Sequence, residues 1–283
     1  MTDHILDLPA TPPRGEKLSN RFSNALRRNP LTTFFVLAYA ISWSVSLVYL
    51  FTGSGPTIVS CGPTLAAIVV LALISGRAGL RRLGRSMVQW RVGWRVWALA
   101  LSMPVALAAA ATGLNLALGA ETPSADDVSN WTNVLPTALI ILLIPAIGGA
   151  WEEPGWRGFA LPRLLAERSA LTASLILGVL WAFWHLPVYF TGDQHWSDLV
   201  LVVLGTIVLT WVFQSALGSV LVLMVFHALN NAVSGEYFSQ WFDGSDSTRQ
   251  SWMLVLVWGV AAALIVRFSN VFRGARAGAR ELS

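Results

Sequence analysis

The chain has 283 residues, of which 55% are hydrophobic and only 12% charged, and its mean hydropathy is +0.60. Soluble domains carry about 25% charged residues, so this composition excludes an ordinary soluble globular protein. The net charge of +4 comes from arginines flanking apolar runs, which suits anionic lipid headgroups and argues against nucleic acid as a partner, while the single cysteine, Cys61, excludes an intrachain disulfide.

Residues 1–30 are polar, and the stretch PATPPRGE reads as a disordered cytoplasmic tail. Apolar runs of roughly 20 residues, the length that crosses a bilayer as a helix, then follow at 31–52, 56–75, 96–119, 134–150 and beyond, 170–190, 198–216, 219–235 and 251–268. The expected fold is all-α: a polytopic membrane protein of about eight transmembrane helices with an active site inside the bundle. Four regions are expected. They are the 1–30 tail, N-terminal membrane helices over 31–133 with a basic cytoplasmic loop, a core over 134–235, and a last helix with a basic cytoplasmic tail over 236–283.

Positive charge sets the orientation. With both termini on one side, that side receives the N-terminal tail, the Arg77–Arg95 loop, the Arg157–Arg168 region and the C-terminal tail. Of the 19 lysines and arginines, Arg249 alone falls on the other side, so both termini are expected in the cytoplasm. The opposite loops, ETPSADD, TGDQHWSD and EYFSQWFDGSD, are acidic or neutral. The segment RAGLRRLGRSMVQWRVGWR mixes arginines with apolar residues, as a helix lying on the cytoplasmic surface does. Many of the 14 tryptophans, among them Trp90, Trp94, Trp97, Trp131, Trp196 and Trp252, fall near span ends, where an interfacial aromatic belt sits.

Ionisable residues inside a membrane cost about 2.5–3.5 kcal/mol each on insertion scales and mark function by default. Within the spans they gather between 134 and 235: Glu152, Glu153 and Arg157 in WEEPGWRG, His185 in LWAFWHLPVYF, and His227 in LVLMVFHALNNAVSG. Glu153 and Arg157, four apart with the acid first, can pair on a helix. Glu152 lies about 100° further round and keeps its carboxylate for chemistry. Glu152 and His185 are equidistant from a turn between Arg168 and Ser169, which places both about 24 Å from it on antiparallel helices. That reading requires one long helix running past the acids to Leu165, kinked at Pro154. His227 and Asn231 share a helix face and reach the same depth, while Asn230 points elsewhere as an interhelical hydrogen-bonder.

A carboxylate, two imidazoles and an amide in one low-dielectric pocket suit hydrolysis by activated water, with donors for a developing oxyanion. No covalent nucleophile is paired with a base, and the H-E-x-x-H zinc pattern is absent. Zinc held by Glu152, His185 and His227 remains open, since these are zinc ligand types. Asn231 is a poor zinc ligand and favours a metal-free site.

The three motifs in order, EExxxR at Glu152–Glu153–Arg157, aromatic-xxx-H at Trp181 to His185 and HxxxN at His227 to Asn231, resemble those of the CAAX protease and bacteriocin-processing family, also called Abi, which includes the type II CAAX prenyl endopeptidases. The resemblance implies an intramembrane endopeptidase acting on a membrane protein or lipidated peptide. It assigns water activation to Glu152 and His185 and oxyanion support to His227 and Asn231, with Glu153 and Arg157 supporting. It departs from the family at Trp181, where phenylalanine is usual. The competing reading, a proton-coupled transporter or a non-catalytic membrane scaffold, would spread ionisable groups through both membrane halves or drop one of the four groups.

Overall fold

The structure, a computed structural model, describes residues 28–192 and 194–272. The expected N-terminal tail up to residue 27 and the basic tail beyond 272 lie outside the described residues. The chain is an all-α polytopic membrane protein, and the described residues contain no strand.

In chain order the helices are α1 (Pro30–Thr52), α2 (Gly62–Met87), α3 (Trp94–Ala117), the short α4 (Ala125–Ser129) and α5 (Val134–Leu143). They continue with α6 (Glu153–Gly155), α7 (Leu161–Glu167), α8 (Ala170–Trp184), α9 (Leu186–Thr191), α10 (Asp198–Ser215), α11 (Val220–Asn230) and α12 (Gly244–Phe268). Five of them, α1, α2, α3, α10 and α12, are long and apolar enough to cross a membrane. α1 packs on α2, α10 on α8 and α12, and α3 on α12 and α11.

α2 illustrates how composition and backbone coincide. Gly76 takes φ 56 and ψ −147, a break inside the helix, and falls where the apolar stretch ending at Ser75 gives way to arginines. Beyond it Gly79 and Leu83 are buried while Arg77, Arg81, Arg82 and Arg85 are exposed. This is the one-sided pattern expected of a surface helix.

Three of the expected spans are interrupted, and they are the three that carry the motifs. The long helix expected from 134 through the acids to Leu165 does not form. α5 stops at Leu143 because Pro145 pushes Ile144 out of helical backbone, to φ −105 and ψ 109, and Gly148 then turns at φ +62. The chain re-enters through a 3-10 turn (Ala150–Glu152), α6, a π-helical segment (Trp156–Ala160) and α7. Glu152 therefore lies in the first turn of a new helical segment rather than in the middle of an old one. The span expected at 170–190 breaks at His185, with Pro187 in the first turn of α9. The span at 219–235 changes from α to π helix at Asn231. Irregular backbone at membrane depth is tolerated only where protein or a cavity covers it, so the breaks themselves point to an internal site.

The expected turns form as local hydrogen-bond geometry. Ser169 caps α8 by accepting from the Thr172 N–H, and Ser219 caps α11 through Val222 N–H while its own hydroxyl donates to the Gln89 carbonyl. The loops 118–133 and 236–243 meet where Tyr237 donates to the Val128 carbonyl. Trp90, Trp94, Trp131, Trp196 and Trp252 are all exposed.

α6 is held against α2 at Gly155, where a Cβ would lie 2.4–2.5 Å from the backbone carbonyl group and Cβ of Pro63. Backbone cannot move aside as a side-chain tip can. Gly155→Ala should destabilise the fold by about 1–3 kcal/mol, the usual range for overpacking, read as a lower melting temperature in detergent, and an unchanged melting temperature would contradict this packing.

Candidate active site

The site is built around Glu153, which is fully buried. Arg157 Nη1 donates to its Oε1 at 3.0 Å, one helical turn on, with both side chains wholly out of solvent. His227 Nδ1 reaches the same oxygen at 2.7 Å from α11. The sequence anticipates the first contact and misses the second. A residue expected to serve Glu152's pocket is anchored instead on the neighbouring acid.

The guanidinium of Arg157 also lies over the Trp181 ring, 4.2 Å from its centroid, a desolvated cation–π contact. Trp181 in turn is edge-on to His227 at 5.5 Å. Its indole N–H donates to Glu152 Oε2 at 2.7 Å, and Trp156 Nε1 donates to the same oxygen at 3.3 Å. Glu152 thus makes no ion pair among the described residues. One of its oxygens is fixed by two indoles, and Oε1, on a residue that lines the cavity, has no partner among them. A phenylalanine at 181 would have no such donor, so the departure from the family pattern has a direct structural consequence.

Glu152 and His185 share one cavity, as their equal distance from the 168–169 turn predicts, but they are joined through Trp181 rather than by a bond. His185 Nδ1 lies 2.9 Å from the Trp181 carbonyl. A carbonyl only accepts, so Nδ1 carries the proton and Nε2 of the neutral ring keeps its lone pair. The Nε2 atom of His227 sits against the chain break: a Cβ on Gly149 would lie 2.1 Å from it. Only glycine permits backbone that close to the ring.

Glu152, His185, His227 and Asn231 all line a cavity of about 670 Å³. Asn230 lines it too, contrary to the expectation that it points elsewhere. The π-helical winding that begins at Asn231 alters the 100° spacing on which that expectation rested. Arg157 is not among the lining residues, and its place beside Glu153 removes it from the cytoplasmic charge count used for orientation. No group of three or more His, Cys, Asp or Glu among the described residues is placed to hold a metal ion. The set Glu152, His185 and His227 is pulled apart by its own hydrogen bonds: Oε2 points to indoles, and each imidazole has committed Nδ1 elsewhere.

Buried acids, paired imidazoles and broken helices around one internal cavity define the class: a polytopic membrane protein with ionisable groups inside its bundle. Residues 131–233 match the family described as type II CAAX prenyl endopeptidase Rce1-like. Over 113 residues, 35% of the chain, it is 27% identical to a protein of Methanococcus maripaludis named CAAX prenyl protease 2. The match covers 40% of that relative, so the chain spans less than half of its length. The stretch 131–233 is an Rce1-like domain, and it contains all three motifs that carried the resemblance.

Removing one member of the buried charge set separates structure from chemistry. Glu153→Gln leaves Arg157 as an uncompensated buried cation, a loss of about 3–5 kcal/mol, and should lower the melting temperature markedly. Adding Arg157→Gln should restore part of it; a double variant no more stable than the single one would show that the pair is not the source.

Proposed function

We propose that the protein is an intramembrane endopeptidase that hydrolyses a peptide bond in a membrane-associated protein or peptide. The observation that carries this reading is the convergence of Glu152, His185, His227 and Asn231 on a single cavity. The Rce1-like match over the same residues supports it.

Glu152 acts as the general base. Its Oε2 is held by the indoles of Trp181 and Trp156, and Oε1 takes a proton from a water whose other hydrogen is accepted by His185 Nε2. The hydroxide oxygen adds to the carbonyl carbon, and the former carbonyl oxygen becomes an oxyanion. Asn231 Nδ2–H and a protonated His227 Nε2 donate to that oxygen, with the Glu153 carboxylate holding His227 from its other nitrogen. The proton held by Glu152 then passes to the leaving amide nitrogen as the C–N bond breaks. Collapse of the adduct gives one carboxylate and one amine, and Glu152 is regenerated. This reading is metal-free, in keeping with a donor set that does not gather three ligands.

The test is cleavage of an internally quenched peptide library by the purified protein in detergent. Glu152→Gln should cut turnover by ~10²–10⁴-fold while the melting temperature holds, because a neutral side chain is easier to bury than a charged one. Wild-type turnover in Glu152→Gln would overturn the assignment. Activity should also survive full equilibration with a chelator; loss that zinc restores would replace the metal-free reading with a metal-dependent one.

Trp181→Phe probes the same carboxylate from its donor side. It keeps an aromatic ring at that position but frees Glu152 Oε2 from its shortest bond, and turnover should fall with little change in substrate affinity. Equal kcat for the two proteins would show that the indole does not position the base.

A further inference from the structure

The cavity is a well with one open end. On every helix that lines it, the lining residues stop partway: at Trp181 on α8, Leu209 on α10, Phe226 on α11 and Trp258 on α12. Below them Leu177, Val212 and Leu223 are completely buried and close the floor. Toward the other end the lining continues into loops and helix starts, through Ser60, Gln194, Glu236, Gln240 and Ser247. No lining residue comes from the connections 88–93, 168–169 or 216–219.

Charge divides along the same axis. The closed end bears Arg77, Arg81, Arg82, Arg85, Arg91 and Arg95, with Arg168 between α7 and α8. The open end bears Glu121, Asp126, Asp127, Asp198, Glu236 and Asp243, and its one described arginine, Arg249, is paired with Asp246 at 2.8 Å. Arginine-rich connections stay in the cytoplasm, so the floor of the well faces the cytoplasm and the mouth faces away from it.

We infer that the peptide and the hydrolytic water enter from the non-cytoplasmic face, so that the substrate is an exported or membrane-anchored chain whose cleavage site lies on that face, not the cytoplasmic end of a lipidated protein. The walls fit an extended peptide. Hydroxyl and amide side chains at Ser234, Ser247, Gln240 and Gln250 meet a polar backbone, and Leu209, Phe226 and Trp258 at the bottom receive an apolar side chain. The word substrate rests on the endopeptidase reading above; the direction of opening does not.

Cysteine accessibility tests the direction without any activity. In a Cys61→Ala background, Ser247→Cys at the mouth, Ser234→Cys deeper in the well and Val88→Cys on the arginine-rich face are each exposed to a membrane-impermeant maleimide in intact cells. The inference expects Ser247→Cys and Ser234→Cys to be modified in intact cells and Val88→Cys only after permeabilisation. Modification of Val88→Cys in intact cells, with both serine positions silent until permeabilisation, overturns it. Modification of Ser247→Cys alone, with Ser234→Cys unreactive on either side, overturns the open well. A second arm adds a membrane-impermeant quenched peptide library bearing apolar residues to cells carrying the wild-type protein or Glu152→Gln. Cleavage in the medium that depends on Glu152 supports both readings. Outward labelling without any such cleavage leaves the direction standing and counts against the endopeptidase.

Discussion

Everything at the site hangs on one buried carboxylate. Glu153 cannot be hydrated where it lies, so its charge must be met by protein, and Arg157 and His227 meet it on a single oxygen. That demand ties the re-entering segment to α11 and fixes which nitrogen of His227 looks into the cavity. It also parks the guanidinium over Trp181, whose N–H is then aimed at Glu152. A structural acid thus orients the reactive one through a cation and an indole, with no bond between the two carboxylates themselves.

This arrangement explains why neighbouring glutamates in WEEPGWRG take opposite roles. The residues one and four positions away decide the matter: Glu153 has a cation one turn on, and Glu152 has Trp156 one turn on. Ion pairing leaves one acid inert, while indole donors hold the other in place and leave an oxygen unused. The Rce1-like match covers the stretch in which this division of labour occurs, and the long helices outside it serve as its enclosure.

Much of the fold is legible from hydropathy because continuous apolar length is a local property, and α1, α2, α3, α10 and α12 fall where their runs predict. The Glu153–Arg157 pair is legible for the same reason, being set by helical spacing. What escapes the sequence is nonlocal or arises where the helix is not ideal. The bond from His227 to Glu153 joins residues 74 apart, and no spacing rule reaches that far. The long fourth helix fails at Pro145 and Gly148, which an apolar count weighs as ordinary positions. Asn230 enters the cavity because the winding changes at its successor, and a 3.6-residue period cannot anticipate a π turn. Trp181 was visible as an unusual residue, but its donor is meaningful only once Glu152 is beside it.

The two π-helical segments, Trp156–Ala160 and Asn231–Tyr237, flank the catalytic cluster and have a consequence for how such a site can change over generations. A π turn holds one residue more than an α turn, so losing that residue relaxes the segment to ordinary helix and rotates whatever follows by about 100°. Point substitutions along these segments leave every neighbour's direction intact, whereas a one-codon deletion would swing Arg163 and the rest of α7, or the mouth residues near Glu236, onto a different face. Chain length in these two stretches is therefore under tighter constraint than residue identity, and drift at the rim of the well is channelled into side-chain replacement rather than gain or loss of residues.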